Sequence, residues 1–220
     1  MSLIDDLIKS GYLRTPEIIN AFKKIKRRDF VRPEGVGQAE IDAPLGIGFG
    51  QTISQPATVA FMLEKLEAKA GEKILDVGCG SGWTTALLAQ IVGARGKVYG
   101  LDRIRELADF AAGNVDKYNF IKKGIVQIFY TDGYKGLPEF APFDKILVSA
   151  AAEDIPEKLL EQLKIGGHLV IPIGQRFETQ SIMAVDKIGE NKFKEKEYPG
   201  FVFVPLVKDK SPHQNWREDK

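Results

Sequence analysis

The sequence has 220 residues, 44% of them hydrophobic, and a formal net charge of +1 at pH 7. This composition is typical of a globular protein and excludes a fibrous or disordered chain, while the near-neutral charge argues against nucleic acid or a membrane surface as a partner. The chain has one cysteine, no apolar run of the roughly 18 residues that a membrane span needs and no signal-peptide pattern, so we expect no disulfide and a cytoplasmic location.

The N-terminal part is predicted to be helical at first and irregular afterwards. Apolar residues recur at helical spacing between residue 2 and about residue 30, and Thr15-Pro16 is typical of a helix start. The basic run 23–28 ends the second helix and is interpreted as a solvated face that complements the helix dipole, with a nucleic-acid patch as the alternative. Prolines and glycines fill residues 31–53 and predict an irregular connection, after which Pro56 opens another helix.

A glycine-rich loop follows a predicted buried strand at residues 73–77 and leads directly into a helical pattern. Glycines let backbone N–H groups approach a ligand at a helix N-terminus, so the loop is predicted to be a nucleotide-binding turn. The dinucleotide fingerprint has a different spacing, and Trp83 stands where its last glycine belongs. Asp76 at the loop entrance suits a ligand with a cationic amino end, whereas we interpret Cys79 as a packing choice. The candidate ligand-binding residues of the loop are Asp76, Gly78, Cys79, Gly80, Ser81 and Gly82.

The next predicted strand, residues 97–101, ends in a second acidic residue, Asp102. A carboxylate at this position, about twenty residues beyond the glycine loop, is where the ribose hydroxyls of an adenosine are bound. Arg103 beside it is a further candidate for cofactor binding. Together the loop and Asp102 resemble the S-adenosylmethionine site of Rossmann-like methyltransferases, which implies this cofactor and the product S-adenosylhomocysteine; the alternative is a glycine turn that binds nothing.

Strands and helices alternate from residue 73 onward, and residues 178–204 alternate polar and apolar as antiparallel strands do. The fold class is therefore α/β, a doubly wound, mostly parallel sheet of the Rossmann-like kind with an N-terminal helical lead and antiparallel C-terminal strands. Strands are predicted at 73–77, 97–101, 125–129, 144–149 and 168–173, and helices at 83–92, 103–118 and 156–164, the last followed by a stop at Gly166-Gly167.

Ligands of such sheets bind beyond the carboxyl ends of the strands. Asp132-Gly133 follows the third strand and is interpreted as an acceptor for the adenine amino group beside a glycine that leaves room for the ring; a plain Asp-Gly turn is the alternative. We expect a single domain, 1–220, with residues 1–70 as an N-terminal helical, substrate-side subdomain, residues 71–207 as the cofactor-binding core and residues 208–220 as a tail.

The segment Gly48-Phe-Gly-Gln-Thr-Ile-Ser-Gln-Pro56, taken with the glycine loop, Asp132-Gly133 and Phe203-Val-Pro-Leu206, is similar to the protein-L-isoaspartate O-methyltransferase family. The resemblance implies that Ser54 is the active-site hydroxyl, and we interpret Thr52 as its assistant. It also implies that cofactor and substrate are contacted by Gln51, Thr52, Ile53 and Ser54. The implied methyl acceptor is the α-carboxylate of an L-isoaspartyl residue in a damaged protein, whose ester closes to a succinimide and returns in part to aspartate.

Three positions depart from relatives in this family. Val59 replaces a cofactor-contacting His of some members, Val207 replaces a Thr, and Ile41 replaces an aromatic residue ahead of Asp42-Ala-Pro-Leu45. The first two remove polar contacts at the cofactor pocket, and the third bears on peptide preference.

Alternatives remain open at this stage. Ser54 is also a good N-cap, because Pro56 and a helical pattern follow it. A methyltransferase of RNA or of a small molecule is an alternative function, but the aromatic-proline motif of amino-group methylation is absent at Ser149-Ala-Ala-Ala152. A non-catalytic cofactor-binding module that presents its basic helix to a partner is a third hypothesis. We expect a monomer that acts on isoaspartyl proteins without a metal ion.

Overall fold

The N-terminal part forms a helical layer that ends in a short hairpin. The computed structural model describes residues 2–175 and 178–208, so the predicted tail beyond Lys208 lies outside the described residues. Helices α1 and α2 span Leu3–Lys9 and Pro16–Lys24, 3₁₀ turns span Arg27–Phe30 and Pro33–Gln38, strands β1 and β2 span Leu45–Gly48 and Gln51–Ile53, and α3 spans Pro56–Leu66. The prediction of an irregular connection was wrong for residues 45–53, where β1 and β2 pair antiparallel.

Seven strands form the central sheet within the described part of the chain. They are Lys73–Val77 (β3), Lys97–Asp102 (β4), Val126–Tyr130 (β5), Phe143–Val148 (β6), Leu163–Ile173 (β7), Gln180–Gly189 (β8) and Lys192–Phe201 (β9). Their order is β5-β4-β3-β6-β7-β8-β9, parallel from β3 to β7 and antiparallel for β8 and β9. Helices Trp83–Val92 (α4), Arg105–Asp116 (α5) and Glu157–Gln162 (α6) connect the parallel strands. The predicted α/β fold class is confirmed.

The central strands of the sheet are buried on both faces, as their apolar runs predict. Ile74 and Val98 belong to one apolar cluster, which includes residues of α2 to α5. Their chain neighbours Leu75 and Tyr99 belong to a second cluster, which includes Phe143. Because successive side chains of a strand point to opposite faces, this division places one cluster on each side of the sheet.

Two details of the strand and helix predictions were wrong. The predicted glycine stop at residues 166–167 lies inside β7, and the predicted helix 103–118 is shorter at both ends. At Gly167 a Cβ atom would lie 2.7 Å from the carbonyl oxygen of Lys164 and 2.9 Å from that of Asp144. The glycine therefore permits a close approach of two backbones where the register between β6 and β7 shifts, and it marks an irregular strand rather than a stop.

The basic run is not uniformly solvated, which corrects its interpretation as a solvated face. Arg27 is only 3% exposed, whereas its neighbours Lys26 and Arg28 are exposed. The helical pattern predicted that all charged residues of 23–28 share one polar surface. In the structure α2 ends at Lys24 and a 3₁₀ turn begins at Arg27, so the side chain of Arg27 is buried instead. No helix of residues 2–175 and 178–208 combines the length and the apolar character that crossing a bilayer requires.

Candidate active site

A cleft of about 810 Å³, its open mouth included, lies beyond the carboxyl ends of the parallel strands. The loops after β3, β4, β5 and β6 form its floor, while the β1–β2 hairpin and residues 204–207 form walls. The cleft therefore occupies the position at which parallel sheets bind ligands.

Most of the candidate residues from the sequence line this one cleft. Three do not lie on its surface: Asp76, Gly82 and Asp132. The candidates on the cleft surface are Gln51, Thr52, Ile53, Ser54, Gly78, Cys79, Gly80, Ser81, Asp102, Arg103 and Gly133. Val59 and Val207, the departures from relatives, also line it, whereas Ile41 is 53% exposed.

Sequence reasoning did not nominate several apolar and polar lining residues. Ile47, Trp83, Thr84 and Ile104 all face the cleft. Trp83 and Thr84 immediately follow the glycine loop, so their place at the start of α4 was a usable signal. Ile47 lies on β1, a strand that the sequence pattern did not indicate because glycines precede and follow Ile47.

The glycine loop takes a backbone path that other residues adopt rarely. Gly78, Gly80 and Gly82 have φ of 75°, 54° and 85°, in the left-handed region that glycine enters without penalty. Gly82 has a second constraint, because a Cβ there would lie 2.9 Å from Val115 Cγ2 and 3.0 Å from the carbonyl oxygen of Ala111. Its role is thus the close packing of the start of α4 on α5, which explains why it lies off the cleft surface.

Asp76 lies beneath the loop rather than at its entrance. Its side chain is fully buried, and Oδ2 accepts hydrogen bonds from the hydroxyls of Thr84 at 3.0 Å and Thr85 at 2.6 Å. Burial raises the pKa of Asp76 to about 6, an effect that the two hydroxyls only partly offset. Asp76 therefore fixes the first turn of α4. Thr84, one of its two hydrogen-bond partners, also lines the cleft.

Asp102 connects the glycine loop to the end of β4. Its Oδ2 accepts the N–H of Gly80 at 3.0 Å, and its Oδ1 accepts the N–H of Ile104 at 2.9 Å. Burial raises the pKa of Asp102, and these backbone N–H groups oppose the rise. Because each carboxylate oxygen has a second lone pair, the side chain can accept hydroxyl hydrogen bonds from a ligand while it holds the loop.

Asp132 forms the Asp-Gly turn that was the alternative to its role as an acceptor for the adenine amino group. Its Oδ1 accepts the N–H of Tyr134 at 2.9 Å, and its side chain borders a separate shallow depression beside Tyr134 and Lys135. Gly133 does face the cleft, and a Cβ there would lie only 2.8 Å from Val77 Cγ1. The glycine is thus required for packing against β3, while the carboxylate lies one residue behind the cleft surface.

Ser54 is not an N-cap, so the capping interpretation was wrong. Gln55 precedes α3 without a side-chain cap, and the N–H of Ala57 donates instead to Asp42 Oδ1 at 2.8 Å. Ser54 lines the cleft, and its hydroxyl has no hydrogen-bond partner within residues 2–175 and 178–208. Its hydroxyl is therefore available to a ligand.

The polar and apolar groups of the cleft fit an adenosyl amino acid. In the described chain, three buried polar atoms around the loop have no protein partner: Asp76 Oδ1, Ser81 Oγ and Trp83 Nε1. Buried polar groups without partners are uncommon in native proteins and point to a ligand or an ordered water. Leu101 and Ile104 supply apolar surface beside them. Polar atoms for amino, carboxyl and ribose groups thus adjoin an apolar surface for a base.

Comparisons with known proteins agree with this geometry. A model of the family described as protein-L-isoaspartate(D-aspartate) O-methyltransferase (PCMT) matches residues 1–211. The protein-L-isoaspartate O-methyltransferase of Aeropyrum pernix is 40% identical over 218 residues, which cover 99% of this chain and 83% of that protein. The enzyme of the same name from Methanopyrus kandleri is 43% identical over 205 residues, 93% of this chain and 89% of that protein. A Plasmodium falciparum structure described as a protein-L-isoaspartate O-methyltransferase in complex with S-adenosyl-L-homocysteine superposes with a TM-score of 0.85 at 28% identity, covering 94% of this chain and 97% of that chain.

Proposed function

Because the chain belongs to the protein-L-isoaspartate(D-aspartate) O-methyltransferase family, we propose that Ser54 binds the acceptor carboxylate of its substrate. The enzyme is an S-adenosylmethionine-dependent methyltransferase that methylates the α-carboxylate of L-isoaspartyl residues in damaged proteins and so starts their repair. The observation that supports the assignment of Ser54 is that this residue lines the same cleft as the glycine loop, while its hydroxyl has no hydrogen-bond partner in the described part of the chain.

A sparse site is sufficient for this reaction. When bound, S-adenosylmethionine supplies an electrophilic methyl group on a positively charged sulfur. The acceptor carboxylate, with a pKa near 3.5, is already ionised at neutral pH, so the cleft needs no strong general base. Ser54 has only to orient the carboxylate, with Thr52 as a second hydroxyl from β2. Orientation of this kind can contribute about 7–11 kcal/mol in favourable systems.

The cofactor-binding roles are proposed from position and hydrogen-bonding capacity. Asp102 accepts the ribose hydroxyls, and Arg103, Gly133 and Asp132 surround the adenine end. Asp76 acts on the amino end through its unpartnered Oδ1. The amino acid portion of the cofactor lies along two segments. They are the glycine loop, with Gly78, Cys79, Gly80, Ser81 and Gly82, and β2 with the residue after it, Gln51, Thr52, Ile53 and Ser54.

Methyl transfer to a matched pair of peptides tests the function. The two synthetic peptides share one sequence and differ only in an isoaspartyl or an aspartyl linkage, and the label comes from methyl-labelled S-adenosylmethionine. We expect base-labile label on the isoaspartyl peptide alone, because an ester of a carboxylate is cleaved by base. Equal labelling of both peptides, or of neither, would contradict the proposed substrate.

We also propose the organisation in which the enzyme works. Residues 1–70 form the substrate side and residues 71–207 the cofactor side of one domain, since the hairpin wall and the strand-end floor of the cleft come from these two parts. The enzyme acts as a cytoplasmic monomer on proteins rather than nucleic acid. Its near-neutral charge supports the preference for proteins, and its single, buried Cys79 suits a reducing compartment. Light scattering coupled to size exclusion measures the oligomeric state directly.

A further inference from the structure

Arg27 is a buried cation that contacts the acceptor side of the cleft through backbone carbonyls. Its Nη1 donates to the carbonyl oxygens of Ala39 and Ile41, both at 3.1 Å. Its Nη2 donates to those of Ala43 at 2.7 Å and Ser54 at 3.2 Å. All four acceptors belong to the stretch that carries the hairpin and ends at the proposed acceptor-binding hydroxyl, so one guanidinium fixes both ends of this stretch.

The same guanidinium contacts the cofactor side of the cleft. Its Cζ lies 5.4 Å from the ring centroid of Trp83, the first residue of α4 after the glycine loop, which is within the distance of a cation–π contact. Trp83 also packs edge-on against Phe22 of α2, with ring centroids 5.5 Å apart. Arg27 therefore lies between the two halves of the cleft and contacts both.

The turn that follows Ser54 is held from the other side by a carboxylate. Asp42 accepts the N–H of Ala57 through Oδ1 and the side-chain amide of Gln55 through Oδ2, the latter at 3.1 Å. Burial lowers the pKa of Arg27 to about 10, and the charges of Asp42 and Glu40 counter the fall, so the guanidinium stays protonated at neutral pH. Opposite charges thus fix the backbone on both sides of Ser54.

We propose that Arg27 is a positioning residue for methyl transfer, which sets the distance and angle between the Ser54 turn and the cofactor loop. The proposal rests on the proposed role of Ser54 in binding the acceptor. A lysine does not replace it, because an ammonium is a single point donor and lacks the planar fork that reaches four carbonyls. A displacement of about 1 Å between reacting groups can cost about a hundredfold in rate.

Kinetics of Arg27→Lys test the proposal, with Arg28→Lys as the matched control on the exposed side of the same 3₁₀ turn. The kcat for the isoaspartyl peptide is normalised to the sites that bind S-adenosylhomocysteine in a calorimetric titration, so that unfolded protein does not count. We expect a fall in normalised kcat of about tenfold to hundredfold. The Kd for S-adenosylhomocysteine should change less than about fivefold, the effect of a weakened cation–π contact. The Arg28→Lys control should match the wild type in both quantities.

A double-mutant cycle with Ser54→Ala separates positioning from general stabilisation. If Arg27 acts through Ser54, Arg27→Lys lowers kcat by less than about threefold once the Ser54 hydroxyl is gone, because the two effects are not additive. Additive losses, or losses of kcat and S-adenosylhomocysteine affinity in parallel, would overturn the proposal. Should Arg27→Lys fail to fold, Arg27→Gln removes the buried charge with its desolvation cost and is held to the same criteria. A wild type that labels no isoaspartyl peptide would instead refute the function itself.

Discussion

The Ser54 hydroxyl does not cap α3, because another residue accepts a hydrogen bond from the start of that helix. The carboxylate of Asp42 accepts a backbone N–H in the first turn of α3, which is the task a serine N-cap performs in many helices. Sequence alone could not separate these roles, since Asp42 is distant in the chain and its contact depends on how residues 39–54 fold around Arg27. The sequence motif suggested that Ser54 binds the acceptor, and the structure shows that Ser54 does not cap α3.

Substitution of Ser54 by alanine should affect turnover far more than cofactor binding. The proposed hydrogen bond from Ser54 to the acceptor carboxylate would have a value of about 1.5–3 kcal/mol, so kcat should fall about tenfold to hundredfold. Calorimetry should give a Kd for S-adenosylhomocysteine that changes far less than kcat does. Ser181→Ala is the control, because that hydroxyl donates to the exposed Glu197 on the far strands. A Ser54→Ala enzyme of wild-type rate would remove Ser54 from the mechanism.

The buried carboxyl of Asp76 should make stability depend on pH in an identifiable window. Its pKa is raised from 3.8 to about 6 by burial. Well below pH 3.8 the group is protonated in both the folded and the unfolded chain and has no effect. Between the two pKa values the unfolded chain ionises first, so stability falls as pH rises, by about 3 kcal/mol in total at about 1.4 kcal/mol per pKa unit.

Asp76→Asn should abolish this contribution, since the amide does not titrate and its oxygen can still accept from Thr84 and Thr85. The measurement is urea unfolding of the ligand-free protein at pH 4 to 7 for the variant and the wild type. We expect the difference in unfolding free energy between them to shift by about 3 kcal/mol in favour of the variant as the pH rises. A difference that stays constant over this range would show that the carboxyl ionises normally.

At the scale of elements, the hairpin and β7 show where sequence patterns mislead. Gly48, Phe49 and Gly50 have φ of 94°, 56° and 67°, so the tip of the β1–β2 hairpin needs consecutive left-handed residues. The glycines that make this possible resemble loop composition, and strands of three and four residues have too few side chains for an alternating pattern. The long strands and helices of the core were predictable, because their apolar periodicity extends over enough residues.

The start of α3 provides a test of capping at a distance. Asp42→Ala removes the acceptor of the Ala57 N–H, and the loss of a helix cap costs about 0.5–2 kcal/mol. We expect a fall of about 1 kcal/mol in the unfolding free energy measured with urea. Glu40→Ala, two residues earlier and also exposed, is the control and should remain within about 0.5 kcal/mol of the wild type. Equal effects of both substitutions would point to a general charge effect instead.

At the scale of the molecule, the parallel sheet determined where the site had to be, and this much followed from the sequence. The wall formed by residues 204–207 did not follow from it, because its position depends on pairing between residues remote in the chain. Ala151 and Pro205 form a parallel bridge, and Gln180 bonds both backbone polar groups of Phe203. No local pattern encodes such contacts.

Ligand-induced stabilisation tests the cleft as a whole. A ligand at one hundred times its Kd stabilises the folded state by about 2.7 kcal/mol, which for a chain of this size raises the Tm by about 5–11 °C. We expect S-adenosylhomocysteine to produce this shift in a thermal melt. RNA should produce none, and NAD should produce none because Trp83 occupies the position of the last fingerprint glycine. A shift with RNA would favour the nucleic-acid hypothesis.

The wall at residues 204–207 has a consequence for biosynthesis. A ribosome completes the chain from its N-terminus, so the glycine loop and the serine turn leave the exit tunnel well before the segment that pairs with Ala151. The nascent chain therefore carries most residues of the cleft before the wall at residues 204–207 has formed. The cleft is therefore enclosed on this side only after residues 204–207 have left the tunnel and paired with Ala151.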